Sequence, residues 1–272
     1  MNRRETDIAW GWIVLLLSGL LLANGCATAP APAPGREVLY QVSTLQALLD
    51  GVYDGAATCG QLRRNGDLGI GTFEGLDGEL ILLDGRVWQA AADGRIRAMP
   101  DSAPIPFACA TFFDSDRSAV LRALPDAVSL RQQLDALRAG PNRFCAVRVD
   151  GRFAKVKVRS VPKQAKPYPP LAEVTKTQPV FEFENVEGTL VGFWFPAWCA
   201  GVNLPGWHLH FLAKDGRGGG HLLECALTEG VAQADDTLEL RLELPGGESF
   251  RDARLEGRAA EAHAAEQTPT AK

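Results

Sequence analysis

The sequence predicts an α+β (α/β) fold, with two subdomains built on mixed β-sheets and a few helices. Three observations carry this expectation. Short apolar runs bounded by Gly, Asp-Gly and Pro recur along the chain and read as strands. Helical spacing is confined to a few segments. A proline-rich stretch, Pro162-Lys-Gln-Ala-Lys-Pro-Tyr-Pro-Pro170, interrupts regular structure midway, because proline is excluded from helix interiors and central strands. It divides an N-terminal mixed-sheet domain over 37–161 from a C-terminal domain over 162–272.

Taken in order, Val38-Leu-Tyr-Gln-Val42 opens as a strand. Ser43 then offers an N-cap for a helix over 45–50. Residues 51–60 read as loop. In 65–85 glycines punctuate short strands, and residues 79–83 enter an Asp84-Gly85 turn with Val87-Trp-Gln-Ala90 as hairpin partner. Residues 107–113 form another apolar strand. Residues 121–137 have helical spacing, with Leu130, Leu134 and Leu137 on one side. Residues 144–151 and 153–159 read as two strands about an Asp150-Gly151 turn. After the prolines, Phe181-Glu-Phe183 and residues 188–194 read as strands, 237–244 alternates as a strand with one wet face, and 259–266 reads as a short helix.

The first 25 residues read as a secretory signal. Arg3 and Arg4 precede an apolar stretch over 8–23 that ends in Leu22-Ala-Asn-Gly-Cys26. The small Gly25 before Cys26 points to a lipoprotein-type cleavage, with Cys26 the lipidated first residue. Asn24 is a less usual neighbour, and an ordinary signal peptide or a retained anchor is the alternative. Residues 26–36 are rich in alternating Ala-Pro, which extends as a tether. The protein is therefore expected to be exported, facing the periplasm or cell surface, and to touch the membrane only through a lipid on Cys26. No later stretch is long and apolar enough to span a bilayer.

The net charge of −5 comes without a basic stripe, which excludes nucleic-acid binding. Beyond Cys26 stand five cysteines, an odd number with no C-x-x-C spacing. An exported location permits a disulfide that the sequence does not assign, and most of the five read as buried small residues.

Three of the four histidines stand in one short window, His208-Leu-His210 and His221. Residues two apart on a strand share a face. The intervening segment ends in Gly218-Gly-Gly220 and reads as a hairpin turn, so His221 falls across from His210. Three converging imidazoles match the ligand set of a catalytic zinc site. Zinc is favoured by ligand type, while nickel, copper, iron or manganese suit the same ligands. The glycines of 66–78 lack the spacing of a phosphate cradle and belong to turns.

Several segments, taken together, resemble acetolactate decarboxylase. They are Leu39-Tyr-Gln-Val-Ser-Thr-Leu-Gln-Ala-Leu48, Gly66-Asp-Leu-Gly-Ile-Gly-Thr-Phe73 with Leu76-Asp-Gly-Glu-Leu80, residues 158–169, and Pro205-Gly-Trp-His-Leu-His-Phe211 with Gly219-Gly-His221. The likeness runs from about residue 38 to the C-terminus. It implies a metalloenzyme, usually with zinc, that converts 2-acetolactate to acetoin and CO2. It also implies a two-domain subunit that forms a homodimer by extending a sheet. The family's zinc ligands match His208, His210 and His221. Its other site residues match Glu79, Thr72 and Arg159. A C-terminal glutamate that reaches back to the site finds its nearest match in Glu266, with Glu261 as rival; His263 in the same tail reads as exposed.

The chemistry follows from the substrate. Loss of CO2 leaves an electron pair that the adjacent ketone accepts, giving an enediolate that zinc would stabilise as a Lewis acid. Arg159 suits the substrate carboxylate by its fork of donors. Glu79 and Glu266 are candidates to supply or relay the proton, and Thr72 to position a substrate oxygen. Two further classes stay open: an exported zinc-binding lipoprotein without turnover, and a metal-dependent hydrolase, which would lack an HExxH helix.

Overall fold

Alternation on the strands decides which side chains meet, and it builds two sheets that face each other. The structure, a computed structural model, describes residues 37–255. The signal segment, Cys26, the Ala-Pro tether, the expected helix over 259–266 and the tail residues Glu261, His263 and Glu266 lie outside them.

The first sheet takes its strands from β1 (Val38–Val42), β3 (Leu68–Thr72), β4 (Glu79–Leu83), β5 (Arg86–Ala90), β6 (Ile96–Ala98), β8 (Phe107–Thr111) and β14 (Glu239–Glu243). Between them lie α1 (Leu45–Leu49), the small pair β2 (Ala57–Thr58) and β7 (Pro104–Ile105), and α2 (Cys59–Arg63). The strand order is β14-β1-β8-β3-β4-β5-β6, antiparallel throughout except for the β1–β14 pair. The second sheet comprises β9 (Arg117–Leu124), β10 (Phe144–Arg159), β11 (Val180–Phe195), β12 (Gly206–Ala213) and β13 (Gly219–Thr237). Here β10 pairs with both β11 and β13, and β12 pairs with the same two strands, so the ladder closes into a ring. Helix α3 (Ala127–Leu137) packs on β9 and β13, while α4 (Leu171–Val174) and α5 (Glu248–Arg251) are single turns. This is the expected α+β class.

Both faces of the first sheet are covered. Leu80 and Leu82 of β4 join one apolar cluster with Leu62 of α2, while Ile81 joins another with Val191 and Phe193 of β11. That second cluster is the seam between the sheets. Glu79 shares its strand face with Ile81, and Thr72 shares its face with Ile70 of the same seam, so both look towards the second sheet. In the ring, Leu209 and Phe211 fill the core with Val156 and Val158. His208 and His210 alternate with them and point out of that core.

Several local expectations are corrected. Ser43 is no cap: it takes φ +63° as its N–H bonds the Glu243 carbonyl, and Thr44 caps α1 by accepting from the Ala47 N–H. Residues 121–124 are strand, not helix, because they belong to β9, which pairs with β13; the helix begins after Pro125 with Asp126 as its cap. Leu130, Leu134 and Leu137 form its buried face as expected. No turn occurs at Asp150-Gly151, since β10 runs through with Gly151 opposite Gly188 and Gly230, three glycines that let three strands approach. Residues 180–195 likewise form one strand. The loop expected over 51–60 contains β2 and the start of α2, which Thr58 and Gln61 close with a reciprocal cap. Thr237 ends β13, and β14 begins at Glu239. The Asp84-Gly85 hairpin forms as read, with φ of +51° and +70° at its two residues. The five cysteines are buried and free of disulfides. The proline-rich segment connects two neighbouring strands of the ring, β10 and β11, and strands from both sides of it contribute to each sheet.

Candidate metal centre and adjoining pocket

The ring sets His210, His221 and Arg159 in a single register row, with His208 two residues before His210 on the same strand face. Val191 pairs with His210, His210 with His221, and His221 with Arg159. Gly220 makes this approach possible. It takes φ +143°, and a Cβ there would stand 2.3 Å from the Arg159 carbonyl oxygen. Only a glycine allows β13 to come that close to β10 at the position before His221.

His208, His210 and His221 form a buried cluster whose candidate ligand atoms all lie within 4.8 Å of one another. The Nε2 of His208 is 3.0 Å from the Nδ1 of His221. His210 Nδ1 lies 2.9 Å from the Leu80 carbonyl oxygen, which can only accept. That nitrogen therefore carries the proton, and Nε2 presents its lone pair. Burial, reinforced by the Arg159 charge, pushes His208 down to about 3. The same two causes hold His221 well below its ordinary value. His208 and His221 are thus neutral at neutral pH, the form a metal requires. Three imidazole nitrogen donors on paired strands fit a zinc-type ion.

Glu79 stands beside them. Arg159 Nη1 donates to Glu79 Oε1 at 3.0 Å, and Glu79 Oε2 is 3.5 Å from His210 Nε2. Both partners are almost wholly buried. Thr72, directly opposite Glu79 on β3, donates its hydroxyl proton to the Gly78 carbonyl at 2.7 Å. Thr72, Glu79, Arg159 and His208 all line one small pocket. All six sequence-predicted site residues within the described region thus gather here: four line the pocket, and His210 and His221 join His208 in the cluster. Apart from Gly71, the rest of the pocket wall is apolar: Leu48, Leu76, Phe107, Val161 and Leu171. Sequence reasoning missed this wall, since an apolar residue in a strand or helix carries no sign that it faces a pocket rather than core. It missed the Leu80 carbonyl for the same reason, because every residue has one.

Fold and site together define a class: an α+β protein whose buried pocket sets a metal-competent histidine triad beside a paired glutamate and arginine. Comparison with known proteins gives the family. The alpha-acetolactate decarboxylase family model matches residues 39–257. The alpha-acetolactate decarboxylase of Methanosarcina mazei is 46% identical over 219 residues, covering 80% of this chain and 76% of its own. That of Bacillus subtilis strain 168 is 39% identical over 218 residues, covering 80% and 86%. The crystal structure of the B. subtilis 168 enzyme superposes with a TM-score of 0.83 at 37% identity, over 85% of this chain and 100% of that one. The chain belongs to the alpha-acetolactate decarboxylase family.

Proposed function

We propose that this protein decarboxylates 2-acetolactate to acetoin and CO2, and that it does so with a zinc ion held by His208, His210 and His221. Family membership supports the reaction. The observation that carries the site assignment is the histidine triad beside the Glu79–Arg159 pair, with His208, Glu79 and Arg159 lining one pocket. Zinc there would supply Lewis-acid stabilisation of the negative charge that the substrate ketone takes up as CO2 leaves.

The protein's own groups supply the rest. Arg159 binds and orients the substrate carboxylate, for which its planar fork is suited. Its charge stays beside the site after CO2 has gone. Glu79 relays the one proton that the overall reaction takes up to the new carbanionic carbon from one side of the pocket, which makes the product chiral. Thr72, its proton committed to Gly78, pins the turn that presents Glu79. The apolar wall excludes water from the reacting carbon. The backbone N–H of Arg254, near the end of the described chain, bonds Asp50 at the end of α1, the helix that gives Leu48 to the pocket. Glu266, or its rival Glu261, is carried as the tail glutamate of the site on the family resemblance alone.

We also read the protein as an exported lipoprotein anchored through Cys26 and as a homodimer. Within the described residues β14 and β6 are the edges of the first sheet, where a second copy could add strands. Fractionation of cells expressing the full chain tests the anchor, and recovery in the soluble cytosol would count against it.

The activity test is acetoin formation from racemic 2-acetolactate by the purified protein, after chelation, and after zinc is restored. Activity should vanish on chelation and return with zinc. No turnover with zinc stoichiometrically bound would overturn the assignment.

A further inference from the structure

The pocket lining is of two chemical kinds, polar and apolar, and so are the groups of the substrate. 2-Acetolactate carries a carboxylate, a hydroxyl and a ketone on adjacent carbons, and two methyl groups. The oxygens suit Thr72, Glu79, Arg159 and His208, which leaves the methyl groups to the apolar wall. Three of the five wall residues are tied to polar groups of the site. Leu76 sits in the turn leading to Glu79, Val161 follows Arg159 by two residues, and Phe107 pairs directly with Thr72. Leu48 and Leu171 differ: they come from α1 and α4, outside both sheets.

These two helices touch each other and share a core cluster. The segment before α4 is fastened to the loop after α1. Tyr53 donates its hydroxyl proton to the Pro169 carbonyl at 2.9 Å, and its ring lies 5.2 Å from that of Tyr168. Leu48 and Leu171 are 6% and 3% exposed, so neither can swing into solvent to admit a larger group. A wall that cannot yield discriminates by single carbon atoms.

We infer that Leu48 and Leu171 form the specificity-determining wall that limits the alkyl group on the quaternary carbon of 2-alkyl-2-hydroxy-3-oxo acids, favouring methyl over ethyl. This rests on the decarboxylase reading above.

The test compares kcat/KM for 2-acetolactate and for its homologue with ethyl in place of methyl on the quaternary carbon, using the zinc-loaded full chain. Leu171→Ala and Leu48→Ala should each raise the ethyl-to-methyl ratio by about tenfold, the usual value of a methylene in an apolar pocket. Leu171→Phe should lower it. Leu171→Val, a smaller truncation, serves where the alanine variant does not fold. Val174→Ala removes apolar volume from the same cluster away from the pocket and should leave the ratio unchanged. Turnover of 2-acetolactate by the parent with an unmoved ratio in the folded Leu48 and Leu171 variants would overturn the inference. A parent inactive on both acids would instead overturn the decarboxylase reading.

Discussion

Arg159 carries a permanent charge into a setting that leaves it only 3% exposed, and Glu79 is the partner that makes this tolerable. A buried ion pair is worth little against an apolar replacement, but breaking one by removing a single charge costs about 3–5 kcal/mol. The pair is therefore better explained by chemistry than by stability. Glu79→Gln keeps the size and an acceptor oxygen while removing the charge and the capacity to relay a proton. It should lower kcat by about 10²–10⁴-fold, with zinc content unchanged by metal analysis, and it should also lower Tm. A variant that loses Tm but keeps kcat would make Glu79 a structural counter-ion only. The histidines argue in the same direction. Three imidazoles are buried in one cluster, and metal coordination would offset the cost of desolvating their nitrogens.

At the scale of elements, the site depends on how closely two strands run. β13 reaches His221 by passing β10 at Gly220, and β12 meets β13 through only three paired residues, His210, Phe211 and Leu212. His210 and His221 are thus joined by a short ladder, beside which one glycine lets β13 pass close to β10. Gly220→Ala should push β13 away from Arg159 and weaken zinc binding, read by competition with a chromogenic chelator. Gly85→Ala strains a hairpin whose Cβ would meet nothing within 4 Å, so it serves as the control, with lower stability and unchanged zinc affinity. Equal zinc affinity in both variants would show that the Gly220 approach does not set the site. Both changes strain a positive φ, but only one lies in the row that joins His221 to Arg159.

At the scale of the whole molecule, the link between the two sheets carries a titrating group. Asp235 of β13 is 1% exposed and accepts from the Asp114 N–H at 3.1 Å, in the segment leading from β8 of the first sheet to β9 of the second. Burial pushes its carboxyl up to about 7; the Asp114 bond opposes the shift, and the charges of Glu37, Asp116 and Asp114 add to it. The folded state then holds a proton that the unfolded chain releases near pH 4. This contribution to stability is complete below that pH and is lost as pH rises to about 7. Asp235→Asn should raise Tm more at pH 8 than at pH 5, and an equal change at both would show that Asp235 does not titrate in the fold. The sequence by itself determined the α+β class, the facing of His208 and His210, the hairpin that brings His221 across, and the family. These rest on local alternation, turn chemistry and motif spacing, which survive without knowledge of the partner strand. Only the tertiary structure decided that 144–159 is one strand, that residues 121–124 leave the helix for a sheet, and that Leu48 and Leu171 face a pocket. Those outcomes depend on pairing and packing between residues far apart in sequence, such as Gly151 with Gly188 and Gly230, and local propensity is silent about them.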